Sequence, residues 1–152
     1  MRVLGWNRSE RDVPGVENCD LDTLLEQSDF VSVNVALTAE TRGLIDARRI
    51  ALMQGDAVLV NTARGGIVDE VALADALAHG RLAAAGVDVF EREPIADDNP
   101  LGKLPNVVLT PHIGSATLRT RAQMADMAVE NVLAALKGER MPSCANPEVY
   151  KS

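Results

Sequence analysis

Aromatic side chains are scarce in this chain of 152 residues: two phenylalanines, one tyrosine and one tryptophan, 3% of the total. A chain so short of rings offers no platform for stacked bases. Basic residues are outnumbered too, fifteen lysines and arginines against twenty-two aspartates and glutamates, for a net charge of −7. That balance argues against nucleic acid or an anionic membrane as the main partner, because both select basic surfaces. No apolar run reaches the roughly eighteen residues that a membrane-spanning helix needs. The opening stretch, "MRVLGWNRSE", lacks the apolar core of a signal peptide. Cysteine is nearly absent, and Cys19 and Cys144 follow no metal-ligand or redox spacing. No metal site is expected, and two free thiols fit a reducing cytoplasm. There is no internal repeat.

What is present is an ordinary globular composition, 47% hydrophobic and 24% charged. Short apolar runs alternate with helical patterns. Residues 2–6, "DFVSVNV" (29–35), 57–61, "AAAGVDVF" (83–90) and "NVVLT" (106–110) read as strands. Asp22, Asp46 and Asp69 are placed to cap helices, and Gly80 to stop the helix after Asp69. Ser115 is expected to open a long helix ending at Gly138, with Leu118, Ala122, Ala125, Val129, Val132 and Leu136 at three- and four-residue steps. Nearly continuous apolar strands separated by helices predict a doubly wound α/β fold with a parallel sheet.

Ligands of such sheets bind beyond the carboxyl ends of the strands. Arg64, Glu93 and His112 each stand just past a successive strand. Taken singly, each is an ordinary loop residue. Together they occupy one topological place. An arginine fork binds a carboxylate. A histidine beside a carboxylate can hold a proton at neutral pH and donate it. This set suits a 2-oxo acid, with a nicotinamide cofactor as the source of hydride.

The run "LVNTARGGIVDEVALADALAHGRLAAAGVDVFEREP", followed by "NPLGKLPNVVLTPHIGSAT", resembles the cofactor-binding domain of the D-isomer-specific 2-hydroxyacid dehydrogenases. The resemblance implies a Rossmann fold and assigns roles by motif. Arg64 of "NTARGG" matches the substrate-binding arginine, His112 of "TPHIGS" the general acid/base, and Glu93 of "DVFEREP" its paired glutamate. Asp88 matches the residue beside the nicotinamide carboxamide. Thr62, Gly114 and Ser115 match positions near the nicotinamide and its ribose, and Ala36 and Leu37 of "NVALTAET" flank the cofactor. Formate dehydrogenases of the superfamily carry glutamine in place of the paired glutamate, so Glu93 favours a hydroxyacid enzyme. The tail is most similar to the glyoxylate/hydroxypyruvate reductase branch, with phosphoglycerate dehydrogenase-like activity as the alternative substrate. The family also implies a homodimer at full length.

An NAD-binding strand usually ends in an acid that accepts from the ribose 2′-hydroxyl. Here "GWNRSER" puts Asn7 at that point, followed by Arg8, Ser9 and Arg11, with Glu10 the one acid among them. Asparagine does not repel a 2′-phosphate and the arginines can bind it, so NADP(H) is expected over NAD(H).

The phosphate-binding G-x-G-x-x-G turn is absent from these 152 residues. The chain therefore reads as an incomplete Rossmann domain, residues 1–138, with a tail, 139–152, that returns to a substrate domain. On this reading the chain is the C-terminal portion of a longer enzyme. The strands at 2–6 and 57–61 are expected to lose their shared neighbour. Two rival readings remain: a nicotinamide-sensing, corepressor-like binding protein, and an inactive fragment of a dehydrogenase.

Overall fold

The computed structural model describes residues 1–9 and 11–150, so Glu10 lies outside the described residues. The chain forms two compact units, Met1–His112 and Ile113–Ser152. The first unit contains β1 (Leu4–Gly5), β2 (Glu17–Asn18), α1 (Leu21–Gln27), β3 (Phe30–Val33), α2 (Ala47–Ile50), β4 (Val58–Asn61), α3 (Glu70–Ala78), β5 (Ala84–Val87) and β6 (Val107–Leu109). The second contains α4 (Leu118–Leu136) and a short 3-10 turn at Pro147–Tyr150. No helix among the described residues is long and apolar enough to cross a membrane.

All strand pairs are parallel, as the alternation of strands and helices predicts. The main sheet has the order β3-β4-β5-β6, and β1 pairs with β2 in a separate ribbon. Every second residue of β3, β4 and β5 is buried: Val31 and Val33, Leu59 and Asn61, Ala85 and Val87. The apolar members of that set form one core with Leu21, Leu25, Ile50, Leu73 and Leu77 from the three helices. Phe30 and Val108 remain exposed at the two outer strands.

Several expectations are corrected. The strand at 58–61 does not lack a neighbour, because β3 and β5 pair with it on either side. β3 is the strand at the sheet edge. The pairing of β1 with β2 was not anticipated, since a two-residue strand leaves no periodic signal. The cap of α1 is Asp20, whose side chain accepts from the Thr23 N–H at 2.9 Å. Burial fixes this phase: Leu21 and Leu25 must share one helix face, so the helix begins at Leu21. Asp22 falls in the first turn and pairs instead with Arg48 and Arg49 of α2. Asp46 and Asp69 do cap α2 and α3, accepting from the N–H groups of Arg49 and Ala72.

The second unit departs from expectation at the cap of its long helix. Thr117, not Ser115, caps α4, accepting from the Thr120 N–H at 3.1 Å, while Ile113 and Ala116 close a turn ahead of it. The apolar stripe of α4 is not buried: Leu118, Val129, Val132 and Leu136 are exposed, and only Ala134 is buried on that helix.

Candidate active site

β4 ends at Asn61, which is buried although polar. Its side-chain oxygen accepts from the Ala63 N–H at 3.1 Å, and its amide donates to the Arg64 carbonyl at 3.2 Å. This is the local closure that asparagine provides at turns. It ends the strand and leaves the Arg64 side chain exposed at the sheet's carboxyl edge. Asn61 was legible as the point where the strand stops, but not as the residue that shapes the turn.

Gly65 follows because nothing larger fits. A Cβ built there would lie 1.9 Å from the Phe90 carbonyl oxygen and 2.0 Å from its carbon. The loop carrying Arg64 is thus pressed against the backbone that leads to Glu93.

β5 ends one residue before Asp88, which is 5% exposed. Its N–H donates to the Asn61 carbonyl at 3.0 Å, and its own carbonyl accepts from the His112 N–H at 2.9 Å. Its carboxylate accepts from the Thr110 hydroxyl at 2.5 Å. Asp88 therefore ties together the ends of three successive strands, and Thr110 is a partner that sequence reasoning missed.

His112 has φ of 53°, the left-handed region that residues other than glycine seldom enter. The bond from its N–H to Asp88 holds it there. Its Nδ1 lies 2.8 Å from Glu93 Oε2, and the Phe90 N–H donates to Glu93 Oε1 at 3.1 Å. The Glu93 carboxyl is held below the usual glutamate range, first by the His112 bond, then by the Phe90 N–H; the positive charge of Arg64 adds a smaller effect. Glu93 is therefore a carboxylate at neutral pH and can only accept, so Nδ1 carries the proton between them. Nε2 is left as the ring atom available to a ligand. A recess lined by Phe90, Ile95 and Pro111 lies beside the pair. Arg64, Glu93 and His112, separated along the chain, are thus brought to one edge.

A groove runs from the β1 end toward Arg64. Trp6, Asn7, Arg8, Ser9 and Arg11 line one part, Thr62 and Arg64 the other, and Asn34, Val35 and Ala36 belong to both, with Leu37 beside Arg64's part. Asn7 donates to the Ser9 carbonyl at 3.0 Å, so its amide shapes this loop. Arg8 lies near enough to Glu40 to help lower that carboxyl, although the bond from Thr38 is the larger cause. The bend of the Ala36–Thr41 loop depends on a buried residue that sequence reasoning missed. The Thr41 hydroxyl donates to the Ala36 carbonyl at 2.6 Å and accepts from the Thr38 N–H at 2.7 Å. Cations at the β1 end and backbone along the rest of the groove suit an elongated anionic ligand such as a dinucleotide, and Arg64 stands at the far end. Gly114 and Ser115 belong to the second unit.

Residues 1–114 match the family model described as D-isomer specific 2-hydroxyacid dehydrogenase, NAD binding domain. The chain is 53% identical over 134 residues to a glyoxylate/hydroxypyruvate reductase B of Pectobacterium atrosepticum, covering 88% of this chain and 42% of the relative. It is 51% identical over 142 residues to a glyoxylate reductase of Thermofilum pendens, covering 93% of this chain and again 42% of the relative. Among solved structures, the NADPH-dependent glyoxylate/hydroxypyruvate reductase of Sinorhizobium meliloti, in complex with NADP and malonate, superposes with a TM-score of 0.84. That match is 36% identical and covers 93% of this chain and 44% of the other. The chain thus spans less than half the length of each of these relatives.

Proposed function

The chain belongs to the D-isomer specific 2-hydroxyacid dehydrogenase family, and on that premise we propose that it is the cofactor-binding part of an NADPH-dependent enzyme that reduces glyoxylate or hydroxypyruvate. The observation that carries the reading is the His112–Glu93 pair at 2.8 Å, with Arg64 near enough to act on Glu93 electrostatically. Arg64 would bind the substrate carboxylate through its planar fork. His112 would donate the Nε2 proton to the carbonyl oxygen, which takes up the electron pair of the carbonyl π bond. Glu93 would hold the Nδ1 proton and stabilise the ring while it is cationic. A nicotinamide, when bound, supplies the hydride to the carbonyl carbon. Arg8, Ser9 and Arg11 would hold the 2′-phosphate, and Thr62, Ala36 and Leu37 would line the path toward the nicotinamide. Asp88 would act at the carboxamide end, and the "TPHIGS" motif would assign Gly114 and Ser115 to the ribose. In the full-length protein, a cytoplasmic homodimer is the form we infer. Its support is the free state of Cys19 and Cys144 and the exposed stripe of α4.

The test is a kinetic assay of the full-length enzyme and its Arg64→Lys variant with both acids. The expected result is turnover with NADPH preferred. Arg64→Lys keeps the charge but loses the fork, so kcat/KM for the acid should fall about tenfold to a hundredfold, the scale of a lost charged hydrogen bond, with NADPH binding unchanged. Absence of turnover with both acids would refute the substrate assignment, and equal efficiency with NADH would refute the cofactor preference.

A further inference from the structure

We propose that Glu70 is a positioning residue for the Glu93–His112 pair, holding both ends of the loop that carries Glu93. The proposal rests on the reading of that pair given above. Glu70 is the first residue of α3 and is half-buried. One carboxylate oxygen accepts from the Glu91 N–H at 2.6 Å, and the other accepts from the Asn99 side-chain amide at 2.7 Å. These partners flank the segment 92–98. Asn99 is itself fixed, since its Oδ1 accepts from the Leu101 N–H at 3.0 Å and its backbone N–H donates to the Ala96 carbonyl. Glu70 thus connects α3 to a pre-formed turn on one side and to the peptide beside Glu93 on the other.

The Phe90–Glu91 peptide leads into the loop that carries Glu93. Two groups meet this peptide, and a third meets the peptide before it. The backbone of Gly65 packs against its carbonyl, where no Cβ fits. Glu70 takes its N–H. The N–H one residue earlier, at Phe90, is taken by Glu93 itself. Consecutive N–H groups are therefore bound by two carboxylates, one structural and one facing His112. A shift of this peptide moves the donor that orients Glu93 Oε1, and with it the oxygen that meets His112 Nδ1. Gly65 can only limit the approach of this peptide from one side. Glu70 supplies the attraction that keeps it seated.

The charge pattern makes the proposal testable by exchange. In Glu70→Gln the amide oxygen can still accept from Glu91, but the new NH2 faces the NH2 of Asn99, and two donors oppose each other. Adding Asn99→Asp restores a donor–acceptor pair in reverse, while its second oxygen still accepts from Leu101. The experiment follows the Glu93 carboxyl by NMR titration in the chain, and kcat and KM in the full-length enzyme. The expected result is that Glu70→Gln raises the Glu93 pKa toward its ordinary value of 4.5. It should also lower kcat about tenfold or more, the scale of a misplacement of about 1 Å or less, with KM little changed. The double variant should recover both. An unchanged Glu93 titration in Glu70→Gln, or a double variant no better than the single, would overturn the proposal. If the titration shifts and recovers while kcat stays constant throughout, the positioning role stands and the catalytic reading of the pair fails.

Discussion

His112 carries two demands at one position, a ring that must meet Glu93 and a backbone at φ of 53°. Histidine, asparagine and aspartate enter this region more readily than most side chains. Substitutions can therefore separate the ring from the backbone. His112→Asn removes the imidazole while tolerating the left-handed conformation, whereas His112→Gln removes the imidazole and adds strain. Both should lower turnover of the full-length enzyme by about a hundredfold to ten-thousandfold, the usual loss of a general acid. Neither should change NADPH affinity. In urea unfolding the glutamine variant should be less stable than the asparagine variant by about 1 kcal/mol. Equal unfolding midpoints would show that no strain is held at this position. Loss of cofactor affinity alongside turnover would contradict the role assigned to the ring.

At the scale of elements, what was legible followed from local chemistry. Asp46 and Asp69 cap their helices because each reaches the N–H three residues ahead, and that spacing is visible in a sequence. Asp20 and Asp22 have the same local credentials, and only the burial of Leu21 and Leu25 decides between them. Asp22 instead works across elements. Its carboxylate accepts from Arg48 and Arg49, and these bonds lower its pKa from the ordinary 3.8 to about 2. The sign follows from the depressed value. The α1–α2 clasp contributes fully above pH 3.8 and is lost as pH falls toward 2, because the unfolded state takes up the proton first. Asp22→Asn should therefore reduce stability at neutral pH, and the gap to the parent chain should close across that acidic window. Denaturant midpoints measured from neutral to acidic pH would check this. A gap that persists unchanged at the acid end would mean that the ion pairs contribute nothing to the fold.

At the scale of the whole molecule, the parallel sheet turns a one-dimensional list into a site. Arg64, Glu93 and His112 were readable because each follows an apolar run, and consecutive parallel strands end on the same edge. The contacts that arrange them were not readable. The Asp88 links to Asn61, Thr110 and His112, and the Glu70 links to Glu91 and Asn99, join residues with no sequence periodicity between them. Periodicity likewise reports the apolar face of α4 but not what covers it, and Leu118, Val129, Val132 and Leu136 are exposed. The cofactor reading belongs to this scale too, because the groove draws on loops from β1, β3 and β4. Trp6 lines it beside Arg8 and is the one tryptophan of the chain. Its fluorescence should report ligand binding, since a reduced nicotinamide absorbs where tryptophan emits. NADPH should quench it saturably and at lower concentration than NADH. If Arg8 and Arg11 hold the additional phosphate, the advantage of NADPH should shrink as salt rises, because exposed charge pairs are screened beyond about 10 Å at 0.1 M and more closely above that. Superimposable curves for the two nucleotides at every ionic strength would remove the phosphate from these arginines. A flat response to both would show that the groove of this chain does not hold a dinucleotide.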